Sequence, residues 1–278
     1  IKSGFFSTIQ DFGRMGYQHY GVPYSGIMDS YSASIANAIL GNNKNAAVIE
    51  MTMTGATLQF NSDTIICISG ADMSPQLNSN KIKLHKSIQV KTGDILSFGK
   101  LNYGFRSYLA VFGGFNTEVI MDSRSMYRGV TNKFVLSKND ELPILNSILN
   151  NIKYASIKVN TNHFTSKHIE VFKGPEFDLL SVEQQEKLLS TTFTISKENN
   201  RMAYQFNETL VNDLPSIITS SVLPGTIQLT PSGKLIILMK DCQTTGGYPR
   251  VLQLKETSIN ILSQKFTGQN ITFKLVKN

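Results

Sequence analysis

Asp241-Cys242-Gln243-Thr244-Thr245-Gly246-Gly247-Tyr248-Pro249-Arg250 brings a carboxylate, an amide, two hydroxyls, a phenol and a guanidinium into one short stretch. It follows the apolar run Leu235 to Met239, which reads as a buried strand, so these polar groups leave a sheet at one edge. Two adjacent glycines let the backbone take positive φ or approach a ligand closely. Gln243, Thr244 and Thr245 offer donors and acceptors suited to an amide edge. Lys240 and Asp241 read in two ways. They are a cation that polarises a carbonyl and a carboxylate that takes a proton, with Gln243 beside them, or they are a charged pair closing the end of a sheet. The whole stretch reads equally as a polar turn between two strands, for which Gly-Gly-Tyr-Pro suffices.

A second set of candidates lies near the start of the chain. Asp11 and Arg14 can orient an amide or carboxylate substrate, or form a local ion pair. Ser25 and Asp29 are a loop hydroxyl and a helix N-cap, or two groups facing a ligand. Glu50, between Ile49 and Met51 in an alternating strand, faces either solvent or a barrel interior, and only the interior position is chemical. Tyr17 belongs to an internal echo. Gln10-Asp11 precedes Gly16-Tyr17, and Asp241 with Gln243 precedes Gly247-Tyr248, as two related β domains would leave behind.

The elements that must position these groups are mostly strands. Asp29 caps a helix read over Ser30 to Leu40, with Ile35, Ala36, Ile39 and Leu40 on one face and Gly41 as its stop. Strands then follow at Val48 to Met53, Thr57 to Phe60, Thr64 to Ser69, around Leu84, Ser87 to Val90, Ile95 to Phe98 and Phe105 to Phe112. Turn signals every 8 to 12 residues or so predict an all-β barrel or sandwich. Ser123 to Arg128 reads as a polar, basic loop. Residues 137 to 165 are rich in Asn, Lys and Ser, with an amphipathic stretch at Leu142 to Leu149, and place a domain junction there: residues 1–160 and 161–278. The second half reads as a strand at Ile169 to Phe172, then a helix opened by Gly174-Pro175 that aligns Phe177, Leu180, Gln184, Lys187 and Leu188. Thr192 to Ile195, a loop through Arg201 to Gln205, and strands at Thr226 to Leu229, Val251 to Leu254 and Ile271 to Leu275 complete it.

The totals narrow the function classes. The chain has 278 residues, 41% hydrophobic and 17% charged, which suits a soluble globular protein of one large or two moderate domains. No stretch reaches the roughly 18 to 20 apolar residues of a membrane span. No secretory leader is read at Ile1-Lys2-Ser3-Gly4, and the missing initiator Met points to a trimmed start. Cys67 and Cys242 make no disulfide framework, which points to a reducing cytoplasm. The four histidines show no metal-ligand spacing with cysteine, so no metal is expected. The net charge of +7 is dispersed, with no nucleic-acid motif, and fits anionic small ligands or an acidic partner. The P-loop, the Rossmann fingerprint and Gly-x-Ser-x-Gly are absent. Any nucleotide phosphates would need strand-end amides, hydroxyls and Lys or Arg.

Seven segments together carry a resemblance: Thr8 to Tyr17, Ser25 to Asp29, Ala36-Asn37, Phe105 to Gly114, Ser123-Arg124-Ser125, Pro224 to Gln228 and Gln243 to Pro249. In this order they resemble the family of the 5-oxoprolinase C subunit, also known as biotin-dependent carboxyltransferase or allophanate hydrolase subunit 2. The resemblance covers nearly the whole chain. It implies a mainly β protein with a few helices, built as two cyclophilin-like β-barrel domains. It implies partners, the A and B subunits of 5-oxoprolinase, with which the chain hydrolyses 5-oxo-L-proline to L-glutamate at the expense of ATP, inactive alone. Biotin replaces ATP if the chain is a carboxyltransferase half of the urea carboxylase type, and a third alternative is a non-catalytic antagonist of a kinase inhibitor. The substrates share an amide-like carbonyl. On this reading Asp241, Lys240 and Gln243 are catalytic. Asp11, Arg14, Tyr17, Ser25, Asp29, Thr244, Thr245, Gly246, Gly247, Tyr248 and Arg250 bind substrate. The chain departs from the pattern at Lys240 and Cys242, at Val130-Thr131-Asn132-Lys133 in place of a glycine-rich segment, and at Asn139 where glycine is usual before Asp140.

Overall fold

The computed structural model describes residues 2–145, 157, 159–160 and 162–276. Its contacts divide the chain into two compact units: Ile1–Arg14 with Ser25–Phe164, and Met15–Tyr24 with Thr165–Asn278.

The first unit is built on a five-stranded antiparallel sheet. Its strands run in the order Phe6–Gln10, Val48–Thr52, Tyr103–Val111, Thr64–Asp72, Ile88–Val90. Both faces are covered, which is why Thr64-Ile65-Ile66-Cys67-Ile68 reads as a continuous apolar run. Ile9, Ile49, Met51, Ile66, Ile68, Leu109 and Val111 pack on one face. Val48, Ile65, Cys67, Tyr108 and Ala110 pack on the other, under Ile35, Ala36, Ile39 and Leu40 of a helix. That helix runs Ser30–Leu40 with Asp29 as N-cap and Gly41 in the left-handed C-cap, as the sequence predicts. A smaller sheet orders Leu58–Gln59, Ile95–Ser97, Gln76–Leu77 and Asn80–Lys81. Leu84 sits in a turn, not a strand.

The second unit closes into a seven-stranded barrel. The order is His168–Lys173, Arg250–Leu254, Thr226–Leu229, Lys234–Leu238, Ala203–Thr209, Phe193–Asn199, Asn270–Leu275. A parallel pairing of His168–Lys173 with Asn270–Leu275 completes the ring. Phe193, Phe206 and Phe273 meet inside it, with ring centroids 5.2 to 6.0 Å apart. Among the described residues no helix is long and apolar enough to cross a membrane.

Two sequence expectations need correction here, and one helix is an addition to them. The helix expected from Gly174-Pro175 is a short 3-10 turn, Phe177–Leu179, followed by a separate α-helix, Val182–Ser190. Leu180 is extended between them, and Ser181 restarts the helix through a capping box with Gln184. The loop expected at Arg201 to Gln205 is in fact the start of strand Ala203–Thr209, in which Tyr204 and Phe206 point inward. A helix at Glu256–Ser263 was not expected, because its buried face is half polar: Ser258, Asn260 and Ser263 beside Ile259 and Leu262. The amphipathic stretch at Leu142 to Leu149 lies beyond Leu145 outside the described residues. Asn139 takes φ 65°, the left-handed conformation that a glycine would otherwise supply and that asparagine tolerates.

Candidate functional site

In the first unit the candidates converge beneath one loop. Strand register puts Thr8 opposite Glu50, Glu50 opposite Tyr108, and Thr52 opposite Arg106. Period-two alternation therefore collects Gln10, Glu50, Arg106 and Tyr108 on the sheet face that the Ser30–Leu40 helix covers. Glu50 is 1% exposed, which excludes the solvent reading. Its Oε2 accepts from Met28 N at 2.8 Å and from the Tyr108 hydroxyl at 2.9 Å, and its Oε1 lies 3.7 Å from Arg106 Nε. Burial, with Glu50 and Asp29 near it, pushes the Tyr108 phenol well above its ordinary value. The Tyr108 oxygen accepts from Asp29 N at 2.8 Å, and Gln10 Oε1 accepts from Gly26 N at 3.1 Å. Buried side chains thus hold the backbone of Gly26 to Asp29 from below.

Asp29 is the expected cap and more. Its Oδ1 accepts from Ser32 N at 3.1 Å, its Oδ2 from Ser32 Oγ at 2.6 Å, and the same Oδ2 lies 2.8 Å from His163 Nε2. Ser25, 1% exposed, stands at φ 55°, and its hydroxyl finds no hydrogen-bond partner. Gly26 (φ 88°) is required where it is, because a Cβ there would lie 2.9 Å from the backbone of Asp11, Phe12 and Gly13.

Asp11 clamps this loop to another. Its backbone carbonyl accepts from Ile27 N at 2.8 Å. Its Oδ1 accepts from Gly13 N, Ser123 Oγ and Ser125 Oγ at 2.9, 2.6 and 2.7 Å, and its Oδ2 accepts from Arg124 N at 2.7 Å. Asp11 is 3% exposed, so this set of donors is what keeps its buried charge solvated. It does not form the local ion pair considered for it with Arg14. The buried Arg14 donates instead to the carbonyls of Ile120 and Ser125. Tyr17 lies in Met15–Tyr24, the segment that groups with the second unit, just before a 3-10 turn at Gln18–Tyr20.

In the second unit the segment after the strand is built in layers. Asp241 forms a two-pronged pair with Arg201, Nε to Oδ2 at 2.8 Å and Nη2 to Oδ1 at 2.9 Å, and its N–H donates to the Arg201 carbonyl. The partner of Asp241 is thus Arg201, 40 residues back in the chain, and not the adjacent Lys240 with which a charged pair was considered. Arg250 is likewise occupied. Its Nε and Nη2 donate to Glu176 at 3.0 and 2.7 Å, its N–H to Glu176 Oε2 at 2.7 Å, and its Nη1 to the Ser221 carbonyl at 3.2 Å. The pairing raises Arg250 above its ordinary value and holds the Glu176 carboxyl below its own. Burial, with Asp241 alongside, pushes the Cys242 thiol up to about 12, which removes it as a nucleophile at neutral pH.

Between these two anchors lie the groups still open to a ligand. Gln243 Oε1 is buried with no hydrogen-bond partner. Thr245–Gly246 pairs with Ser220–Ser221, Val222 N donates to the Thr244 carbonyl, and Ile217 N donates to Gly247 O. Gly246 leaves room that a Cβ would deny, since that atom would sit 2.5 Å from Gln228 Nε2. Tyr248 is 43% exposed. Among the described residues no three His, Cys, Asp or Glu side chains gather as metal ligands would.

Comparison with known proteins places this architecture. The model of the carboxyltransferase domain, subdomain A and B, matches residues 20–275. The chain belongs to this family. It is 30% identical over 279 residues to the C subunit of 5-oxoprolinase from Escherichia coli (strain K12), covering 98% of this chain and 89% of that one. It is 46% identical over 125 residues to the urea amidolyase of Lachancea kluyveri, covering 45% of this chain and 7% of that one. The crystal structure of the K. lactis urea amidolyase superposes with a TM-score of 0.82 at 27% identity, over 99% of this chain and 18% of that chain. The family resemblance read from the seven segments is thereby borne out, as is the mainly β fold.

Several residues that build the site were not singled out from the sequence. Glu176, Arg201 and His163 reach their partners across 40 to 134 residues, and nothing in their own neighbourhoods marks them, whereas Tyr108 and Gln228 lie within resemblance segments without being singled out. Ser123-Arg124-Ser125 was visible as a motif, and the alternation of two hydroxyls around Arg124 is the signal that suits a single carboxylate such as Asp11.

Proposed function

We propose that this chain is the C subunit of an ATP-dependent 5-oxoprolinase, acting with the A and B subunits to hydrolyse 5-oxo-L-proline to L-glutamate. The observation that carries this reading is the similarity to the C subunit of 5-oxoprolinase along 98% of the chain, through both units. The reaction opens a ring amide whose carbonyl resists attack, so a site that orients the amide edge and polarises its oxygen lowers the barrier. Gln243, Thr244 and Thr245 supply that edge recognition, with Gln243 Oε1, buried and unpartnered, turning outward to accept the ring N–H. Asp241 and Arg250 act as positioning residues through Arg201 and Glu176. Lys240, next to Asp241, is the cation assigned to the carbonyl. The segment does not fit a triphosphate, because its guanidinium is already held by Glu176. No step through ATP is therefore derived on it. The test is to combine the chain with 5-oxoprolinase A and B proteins from the same source, supply oxoproline and ATP, and measure glutamate. Well-folded proteins that form none would sink the proposal.

A second reading, a biotin-dependent carboxyltransferase half, is favoured by the 46% identity to urea amidolyase over 125 residues. The ureido ring of biotin presents the same amide-like edge. This reading expects the chain to bind a biotinylated carrier domain and to be indifferent to ATP.

A further inference from the structure

Thr245–Gly246 of the candidate segment is one strand of a short ribbon in the second unit, and Ser220–Ser221 is the other. Ser220 lies opposite Gly246, yet Ile217 N donates to the carbonyl of Gly247, the very next residue on the partner strand. Ile218 and Thr219 are therefore extra to the ladder and bulge out of it. Ile218 is 100% exposed, and Tyr248, beside Gly247 at the same end, is 43% exposed. Leu223, at the other end of the ribbon, is half exposed. These side chains do not sit on a fraying loop. Val222 N donates to Thr244 O at 3.1 Å, and Arg250 Nη1 holds the Ser221 carbonyl at 3.2 Å. Asn212 Nδ2 ties the start of the segment to the carbonyls of Leu210 and Thr230. Gly247 admits the close approach, since a Cβ there would lie 3.2 Å from Ile217 O. No charged side chain occurs from Leu214 to Gly233 or from Cys242 to Pro249, in a chain of which 17% of residues are charged.

An ordered, charge-free surface with an apolar tip is what the core of a protein–protein interface presents, where charged residues are depleted and aromatic ones enriched. A small ligand does not suit it, because such sites are concave and Ile218 stands clear of the surface. A bilayer does not suit it either, because basic residues would flank the apolar ones. In the K. lactis urea amidolyase this fold is 18% of a longer chain, made together with other protein parts, which favours a different protein over a second copy as the occupant. We propose that the bulge at Ile218, with Tyr248 beside it, is a docking anchor for a partner chain of different fold. The partner receives Ile218 in an apolar pocket, packs on the Tyr248 ring and meets the ribbon with an uncharged margin. It then closes over the Gln243 to Tyr248 segment, so that docking and completion of that site are one event. That the partner is a 5-oxoprolinase subunit rests on the oxoprolinase reading.

The experiment titrates the full chain with 5-oxoprolinase A and B proteins from the same source, each alone and then together, by calorimetry, and follows hydrogen exchange in the complex. Saturable binding is expected, with exchange slowed at Ile217 to Leu223 and at Thr244 to Tyr248. Ile218→Asp should weaken binding tenfold or more and leave the melting temperature unchanged, because the side chain is fully exposed. Tyr248→Ala should weaken it as well, which keeps the test decisive if Ile218→Asp fails to fold. Val182→Asp is the control: it changes another exposed apolar residue, in the first turn of the Val182–Ser190 helix where an acid is favourable, and should bind as the wild type does. Equal binding by Ile218→Asp, or no binding of either protein, overturns the proposal. Self-association in sedimentation, or binding to phosphatidylglycerol vesicles, that Ile218→Asp abolishes would assign the tip to a second copy or to a bilayer and overturns it too. Ile218-dependent binding in an assembly that forms no glutamate supports the anchor and sinks the oxoprolinase reading alone. Glutamate formed by an assembly that binds Ile218→Asp as tightly as the wild type sinks the anchor alone.

Discussion

Glu176 and Asp11 are both carboxylates held by several donors, and each makes a measurable claim. The Arg250 fork lowers the Glu176 carboxyl below its ordinary value of 4.5. A carboxyl lowered in the folded state binds its proton more weakly than in the unfolded chain, so the pair stabilises fully above pH 4.5 and loses this as pH falls through the lower folded value. Glu176→Gln should cost about 2 kcal/mol at pH 7, the range for hydrogen bonds to charged groups, discounted for partial exposure. The gap between wild type and variant should shrink below pH 4.5, as chemical denaturation at a series of pH values will show. A constant gap down to about pH 3 would contradict the assignment. At Asp11, the substitution Asp11→Asn turns one oxygen into an amide facing Arg124 N–H, two donors with no acceptor between them. A loss of about 2 to 4 kcal/mol is expected, measured by urea unfolding at pH 7.

Among the elements, the Ser30–Leu40 helix shows what sequence can disclose. Its cap, apolar stripe and glycine stop are all local, so its bounds were legible to the residue. Asp29→Ala should destabilise by more than the about 1 kcal/mol of an ordinary cap, because His163 loses its partner too. Thermal melts of the single variants and of Asp29→Ala with His163→Phe would show the coupling as non-additivity. Gly26→Ala tests the loop above it: strain at φ 88° and contact with the Asp11 to Gly13 backbone predict a loss of several kcal/mol by the same urea unfolding. The strand at Ala203–Thr209 was hidden, because only Tyr204 and Phe206 carry its alternation and its end is polar. The helix at Glu256–Ser263 was hidden by buried serines and an asparagine. Of the site, the segments were legible and the partnerships were not. Asp241 and Arg250 were read as groups for a substrate, yet each is held by a residue far along the chain. Only three-dimensional closure of the barrel brings Arg201 and Glu176 to them.

For the whole molecule, the expectation is dependence on partners. The purified chain with oxoproline and ATP should form no glutamate, and activity should appear only when the A and B proteins are added, in proportion to the limiting one. Glutamate from the chain alone would require a complete catalytic set within these two units. The Asp11 clamp also carries a consequence for the order in which the protein is made. Its donors Ser123 and Ser125 lie 112 and 114 residues downstream. Translation at roughly 5 to 20 residues per second separates the carboxylate from those hydroxyls by on the order of ten seconds. During that interval the charge has only Gly13 to bury against, so the loops at Asp11 and Ser25 must stay hydrated on the ribosome. They set only when the strand Tyr103–Val111 has been laid down and the serines beyond it have emerged.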